Sequence, residues 1–194
     1  QLQIQYHRLY DVILVGNRQL NLTRIIDPED FWEKHLWDSL RGIRFLISEG
    51  EERGEQIDNK NNQIIDLGTG AGFPGIPAGI VVDNCTINLV DSTKKKINFI
   101  DSIIPKLNLN HVRATTCRAE EIGRDSRHRK TYDIALIRAV ASASACAEYT
   151  LPLLKQGGLA VIYRGSWTEK ENINMENAVQ KLGAIIESIE QFST

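Results

Sequence analysis

Gln63-Ile64-Ile65-Asp66-Leu67-Gly68-Thr69-Gly70-Ala71-Gly72-Phe73-Pro74-Gly75 is a short apolar run that ends in a glycine-rich turn. Such a run suits a buried strand. The glycines permit positive φ and let a ligand approach the backbone at the strand's carboxyl end. Downstream, apolar strand patterns alternate with helical ones. Strands are predicted at 63–67, 86–90, 112–116, 134–138 and 159–163, helices near 77–82, 94–107, 144–154 and 169–182, and a final strand at 184–190. This alternation predicts an α/β fold with a Rossmann-like parallel sheet and crossover helices.

Upstream the pattern is helical from about residue 6 to 49. Tyr6, Leu9, Tyr10, Ile13 and Leu14 recur at helical spacing before a predicted turn at Gly16-Asn17. In Asp27-Pro28-Glu29-Asp30, Asp27 reads as an N-cap and Pro28 as the first position of a helix carrying Phe31, Trp32, His35, Leu36 and Leu40 toward Gly42. The polar stretch 49–62 reads as a surface connection. The chain is thus expected to form a single domain over 1–194, with a helical N-terminal cap (1–50) on a core (63–194).

Its 194 residues, 42% hydrophobic, suffice for one core without metal or disulfide support. Cys85, Cys117 and Cys146 lack paired spacing, which argues against a zinc site and agrees with a reducing compartment. No apolar run reaches the roughly 20 residues of a membrane span, so a soluble cytoplasmic protein is expected, with no membrane partner. The net charge of −2 gives no overall attraction to nucleic acid. RNA binding would rest on local patches, either Lys94-Lys95-Lys96 or the run Arg124, Arg127, Arg129, Lys130.

The glycine loop has two registers. Gly70-x-Gly72-x-x-Gly75 matches a dinucleotide fingerprint, with Asp91 near the place of a ribose-binding acid. Asp66-x-Gly68-x-Gly70-x-Gly72 matches the nucleoside loop of methyltransferases. A carboxylate at the loop repels a pyrophosphate but attracts the ammonium and sulfonium of S-adenosylmethionine, so Asp66 favours the methyl donor. Asp91, at the end of the second strand, can accept both ribose hydroxyls or cap the next helix. Arg118-Ala119-Glu120 is expected beside the adenine, and Arg138 at the end of the fourth strand suits a ligand or RNA-backbone contact.

With these residues in hand, the chain resembles the ribosomal RNA small subunit methyltransferase G family, also called glucose-inhibited division protein B. The resemblance rests on Asn17-x-x-x-Asn21-Leu22-Thr23, Phe31-Trp32-x-x-His35-x-x-Asp38-Ser39-Leu40, the loop from Asp66 to Pro77, and Arg138-Ala139-Val140-Ala141-Ser142. It implies a class I S-adenosylmethionine-dependent methyltransferase sheet, with Gly68, Phe73, Asp91, Ser92, Thr93, Ala119, Glu120 and Arg138 at the methyl donor. Gly70 and Asp66 join them on the loop reading. The implied reaction methylates N7 of a guanine in 16S ribosomal RNA, as free RNA or in the small ribosomal subunit. Arg164-Gly165 stands where the family has lysine before glycine, and the core is expected to lack its last strand. Guanine N7 carries a lone pair and no proton, so no catalytic base is expected and alignment does the work. Asn21, Arg24, His35, Arg138 and Arg164 are the expected RNA contacts. Two rival readings are an NAD(P)-dependent oxidoreductase, which lacks a Tyr-x-x-x-Lys arrangement here, and a non-catalytic RNA-binding or assembly module with a vestigial pocket.

Overall fold

Side chains alternate across a strand, and that alternation sorts this core into two faces. The computed structural model describes residues 2–47 and 61–192. The chain opens with α1 (Leu2–Leu20), which buries Tyr6, Leu9 and Ile13. The turn predicted at Gly16-Asn17 does not form. The helix runs through it, and Gly16 instead admits the Phe99 ring: a Cβ there would lie 2.2 Å from a ring carbon. The helix stops at Asn21, in the left-handed region at φ 48. Asn17 folds back on the following loop, donating to the Thr23 carbonyl and accepting from the Thr23 N–H, both at 2.9 Å.

Asp27 caps the next helix as predicted, its Oδ1 accepting from the N–H groups of Glu29 and Asp30, with Pro28 leading the helix. The sequence pattern predicts one continuous helix here. Instead α2 (Pro28–Phe31) widens into a π-helical turn, Trp32–Trp37, then narrows into α3 (Asp38–Gly42), followed by α4 (Arg44–Ile47). The predicted connection at 49–62 lies outside the described residues as far as residue 60.

The core runs β1 (Asn62–Leu67), α5 (Gly75–Val81), β2 (Cys85–Asp91), α6 (Lys94–Ile103), β3 (Val112–Thr116), α7 (Ala119–Ile122), β4 (Tyr132–Arg138), α8 (Ala143–Thr150), β5 (Leu154–Tyr163) and α9 (Glu169–Lys181). All pairings are parallel, in the order β3-β2-β1-β4-β5. The chain therefore winds outward from β1 in one direction and from β4 in the other. Leu67 pairs with both Val90 and Ile137, so the glycine loop emerges between the carboxyl ends of β2 and β4, where such sheets bind ligands.

Ile64, Ile87, Leu89, Ile134 and Leu136 pack with α1, α5, α6 and the Phe31–Leu36 part of the cap. Ile65, Leu67, Val90, Ala135 and Ile137 pack with α7 and α8 on the other face. Asp66 and Arg138 share the parity of Ile64 and Leu136, so both turn toward the cap.

Two strand predictions differ from the structure. β5 begins at Leu154 rather than 159, because Lys155-Gln156-Gly157-Gly158 forms an irregularity in the ladder and not a turn before it; Gly157 has φ +79. The final strand at 184–190 does not form. β5 is the sheet's edge, and a strand exists only where a neighbour shares its hydrogen bonds. The apolar spacing that suggested a strand leaves Ile185 86% and Ile189 52% exposed. Among the described residues no helix is long and apolar enough to cross a membrane.

Candidate active site

Gly68, Gly70 and Gly72 take φ of +70, +61 and +102, as the tight turn after β1 requires. A Cβ on Gly70 would meet only the Gly68 carbonyl, at 3.9 Å, so the loop's outer side has room for a ligand. Asp66 lies beneath the loop and is fully buried. Its Oδ2 accepts from the Thr69 hydroxyl at 2.6 Å and the Gly75 N–H at 2.9 Å, while its Oδ1 has no hydrogen-bond partner. Burial pushes this carboxyl up to about 6; the Thr69 and Gly75 hydrogen bonds and nearby Arg138 oppose that shift. At neutral pH a charge with one unsatisfied oxygen therefore sits under the crevice and favours a cation above it. The donor set fits an ammonium or sulfonium group and acts on it through the loop.

Asp91 is 7% exposed and bridges two elements. Its Oδ2 accepts from the Gly70 N–H at 3.0 Å and its Oδ1 from the Thr93 N–H at 2.8 Å. Each carboxylate oxygen retains a second lone pair, so a vicinal diol can still be held while the loop and the start of α6 stay anchored. Ser92 and Thr93 are exposed beside it. The next strand delivers Ala119 and Glu120 to the same edge, joined to β2 by the Cys117 N–H donating to the Asp91 carbonyl at 3.1 Å. Glu120 accepts from the Tyr149 hydroxyl at 3.2 Å. Its carboxyl is held below the ordinary range by its own backbone N–H and then by Tyr149.

The cap closes on this loop through a polar relay. The His35 ring stacks on Phe73 at 4.5 Å and 8°, and Arg138 lies 5.6 Å over the same Phe73 ring. An Arg138 Nη faces His35 Nδ1 at 3.3 Å, and His35 Nε2 lies 2.7 Å from the Thr23 hydroxyl. Arginine can only donate, so Nδ1 must be the accepting nitrogen and the proton resides on Nε2, which donates to Thr23. Burial, then the Arg138 charge, lowers the His35 pKa to about 4, so the ring is neutral. Arg138 also donates to Asp38 at 2.7 Å and to the Lys34 carbonyl at 3.3 Å. From β5, the Tyr163 hydroxyl donates to the Ser39 carbonyl at 2.8 Å.

The structure thus gathers Asp66, Gly68, Gly70, Phe73, Asp91, Ser92, Thr93, Ala119, Glu120 and Arg138 at the carboxyl edge. His35 and Arg138 engage one another inside the protein. Arg164 is likewise engaged, donating to the Ala141 carbonyl at 2.6 Å and to Glu171 at 2.5 Å, which ties the loop after β4 to α9. Asn21 and Arg24 are exposed on the loop that carries Thr23. Thr23, Asp38, Thr69 and Tyr163 were not singled out by sequence reasoning as site residues. The presence of Thr23 and Asp38 in the same two motifs as Asn21 and His35 was the available signal for them.

The architecture has counterparts among solved structures. M. jannaschii TYW2 in complex with AdoMet aligns over 84% of this chain and 68% of its own, with TM-score 0.59 and 16% identity. Precorrin-6y C5,15-methyltransferase from Geobacter metallireducens aligns over 75% and 70%, with TM-score 0.53 and 14% identity. At those identities the likeness shows the fold alone. In sequence, ribosomal RNA small subunit methyltransferase G of Nostoc punctiforme is 60% identical over 194 residues, 100% of this chain and 77% of the relative. The protein of the same description from Microcystis aeruginosa is 44% identical over 192 residues, 99% and 84% respectively. The family model described as rRNA small subunit methyltransferase G matches residues 3–194, taking in the cap as well as the glycine loop it encloses. A match that spans both layers of the site settles the choice between the loop's two registers, and the chain belongs to the rRNA small subunit methyltransferase G family.

Proposed function

We propose that the protein transfers the methyl group of S-adenosylmethionine to N7 of a guanine in small-subunit ribosomal RNA. The observation that carries this reading is the closure of the Phe31–Leu40 motif of the cap onto the glycine loop and the end of β4, at the His35–Phe73 stack and the Arg138–Asp38 pair, with the Asn17–Thr23 motif tied on through the Thr23–His35 hydrogen bond. When bound, S-adenosylmethionine supplies an electrophilic methyl on a positively charged sulfur. Gly68 and Gly70 give it a backbone wall, Asp91 accepts its ribose hydroxyls beside Ser92 and Thr93, and Ala119 and Glu120 border its base. Asp66 supplies the negative field beneath its amino acid end. Phe73, held by His35 and Arg138, forms the side of the crevice nearest the cap.

The guanine nitrogen needs no base, so these residues work by holding donor and acceptor in line. A neutral His35 with both ring nitrogens engaged agrees with a positioning role. The target guanine must be unstacked to reach the crevice. Asn21 and Arg24 stand at its cap side, backed by His35, while Arg164 braces the loop that follows Arg138. The protein acts as a single domain, on the small subunit or its RNA, in the cytoplasm.

Calorimetric titration of the full chain with S-adenosylmethionine, and with NADH in parallel, tests the pocket. Tritium transfer to small ribosomal subunits tests the reaction. Saturable binding of the methyl donor with label in the RNA is the expected result; binding of NADH alone overturns it.

A further inference from the structure

The two basic stretches lie at opposite edges of the sheet. Lys94, Lys95 and Lys96 form the first turn of α6, directly after β2 and Asp91 at the carboxyl edge. Arg124, Arg127, Arg129 and Lys130 precede β4 and so lie at the amino edge, away from the glycine loop. That second stretch is also engaged locally. Arg127 binds Asp125 at distances of 2.6 to 3.1 Å, and Arg129 donates to the Gly123 carbonyl at 2.7 Å.

The lysines are placed against the local electrostatics. α6 has no acidic residue in its first turn, and three cations stand where the helix dipole is already positive. Lys96 turns back to Asp91, its Nζ 3.7 Å from Oδ2. Lys94 and Lys95 are exposed, and among the described residues neither has a carboxylate within ion-pair distance. Arg118, also at this edge, is partly offset by Glu120, whose acidity it increases. Arg24 is exposed on the cap loop next to Thr23, which is joined through His35 to Phe73. Among the described residues, Lys94 and Lys95 therefore leave unneutralised positive charge beside the crevice. In a protein of net charge −2, that local concentration is what a polyanion would find.

We infer that Lys94 and Lys95 bind phosphates of the RNA strand entering the crevice, so that the first turn of α6 grips the RNA backbone beside the methyl donor. The inference rests on the RNA methyltransferase reading above. It assigns these two side chains to affinity and register and leaves base choice to others.

The test is the salt dependence of binding between the full chain and purified small-subunit ribosomal RNA, with S-adenosylmethionine titrated into each variant. K94Q/K95Q is expected to lower the slope of log K against log salt by about 1.4, at about 0.7 for each single-strand phosphate no longer neutralised. Its affinity for S-adenosylmethionine should stay within about twofold of wild type. Its melting temperature should hold or rise, since the conflict with the dipole is relieved; a fold that persists while RNA affinity drops separates weakened binding from unfolding. R127Q/R129Q should keep the wild-type slope. An unchanged slope in K94Q/K95Q, an equal fall in R127Q/R129Q, or a loss confined to S-adenosylmethionine would each overturn the assignment. If wild type methylates the RNA and the K94Q/K95Q slope is unchanged, only the lysine assignment fails. If wild type binds S-adenosylmethionine but neither binds nor methylates the RNA, whether purified or in small ribosomal subunits, the substrate reading fails and this inference with it.

Discussion

At the amino edge of the sheet, oppositely charged side chains pair near solvent with partners 2 and 22 residues away. Arg127 meets Asp125 with side chains 82% and 27% exposed, and Lys155 meets Asp133 with 46% and 28%. At the carboxyl edge the partners come from distant parts of the chain and lie deeper. Arg138, 15% exposed, joins Asp38 across 100 residues, and Asp91 and Asp66 are buried against loop N–H groups. An exposed pair of this kind adds little stability and fixes no more than one turn or two neighbouring strands. Pairs spanning the chain fix the cap relative to the loop, and the low polarity around them makes each one consequential. Charge is common on this surface, but the pair that ties the cap to the core lies at the carboxyl edge.

The sharpest way to break this contrast is to remove one arginine from each edge. Arg138→Ala should cost about 2 kcal/mol by urea denaturation, below the roughly 3–5 kcal/mol of a fully buried pair because Asp38 is 43% exposed. Arg127→Ala should leave the urea midpoint within error; equal costs at the two edges would erase the distinction.

Asp91→Asn tests whether the carboxyl edge needs charge or only acceptors. An amide offers one acceptor oxygen where the Gly70 and Thr93 N–H groups now use two, so S-adenosylmethionine affinity should fall by about 10- to 100-fold in calorimetry. An affinity close to wild type would remove Asp91 from the binding site.

Asp66 gives the contrast a pH signature. Its folded pKa is raised, to about 6, so the folded state binds its proton more tightly than the unfolded chain does. The ionised acid therefore costs stability above about 6, and that cost is relieved as pH falls toward the unfolded value. Binding of a cationic ligand has the opposite sign. Affinity for S-adenosylmethionine should be full at pH 7–8 and decline as pH drops through about 6, and Asp66→Asn should flatten the profile. A decline that persists in Asp66→Asn would assign the titration elsewhere.

The smallest effect concerns the relay. Thr23→Val should cost about 1 kcal/mol by removing the acceptor of the His35 proton, while Thr23→Ser should restore it. By NMR the His35 ring should hold the Nε2–H tautomer and not titrate between pH 8 and pH 5, given its pKa of about 4. Titration near pH 6.5 would show a solvated ring and an open cap.

What the sequence revealed divides along similar lines. The central strands were legible because each is an apolar run bounded by polar turns, and a strand buried on both faces needs little more. The glycine loop and Asp91 were legible because their geometry is local. The final strand was misread because apolar spacing records only one face of an element, whereas a strand also needs a neighbour's backbone. The π turn carried no compositional mark, and Gly16 looked like a breaker because the Phe99 ring that needs its missing side chain lies on another helix. His35 and Arg138 were both noticed, but their engagement with each other spans 103 residues and exists only once the sheet has placed β4 beneath the cap.

The ties between cap and core have a consequence for synthesis of the chain. The cap is translated first, yet the partners that lock it, Arg138 and Tyr163, lie 100 and 124 residues after Asp38 and Ser39. At elongation rates of about 5–20 residues per second those intervals are about 5–25 s. Until then Phe31 and Leu36, which are buried in the finished fold, have no finished sheet to cover. The cap segment therefore has no sheet to cover until β4 and β5 have emerged, and the crevice it roofs is completed only after both.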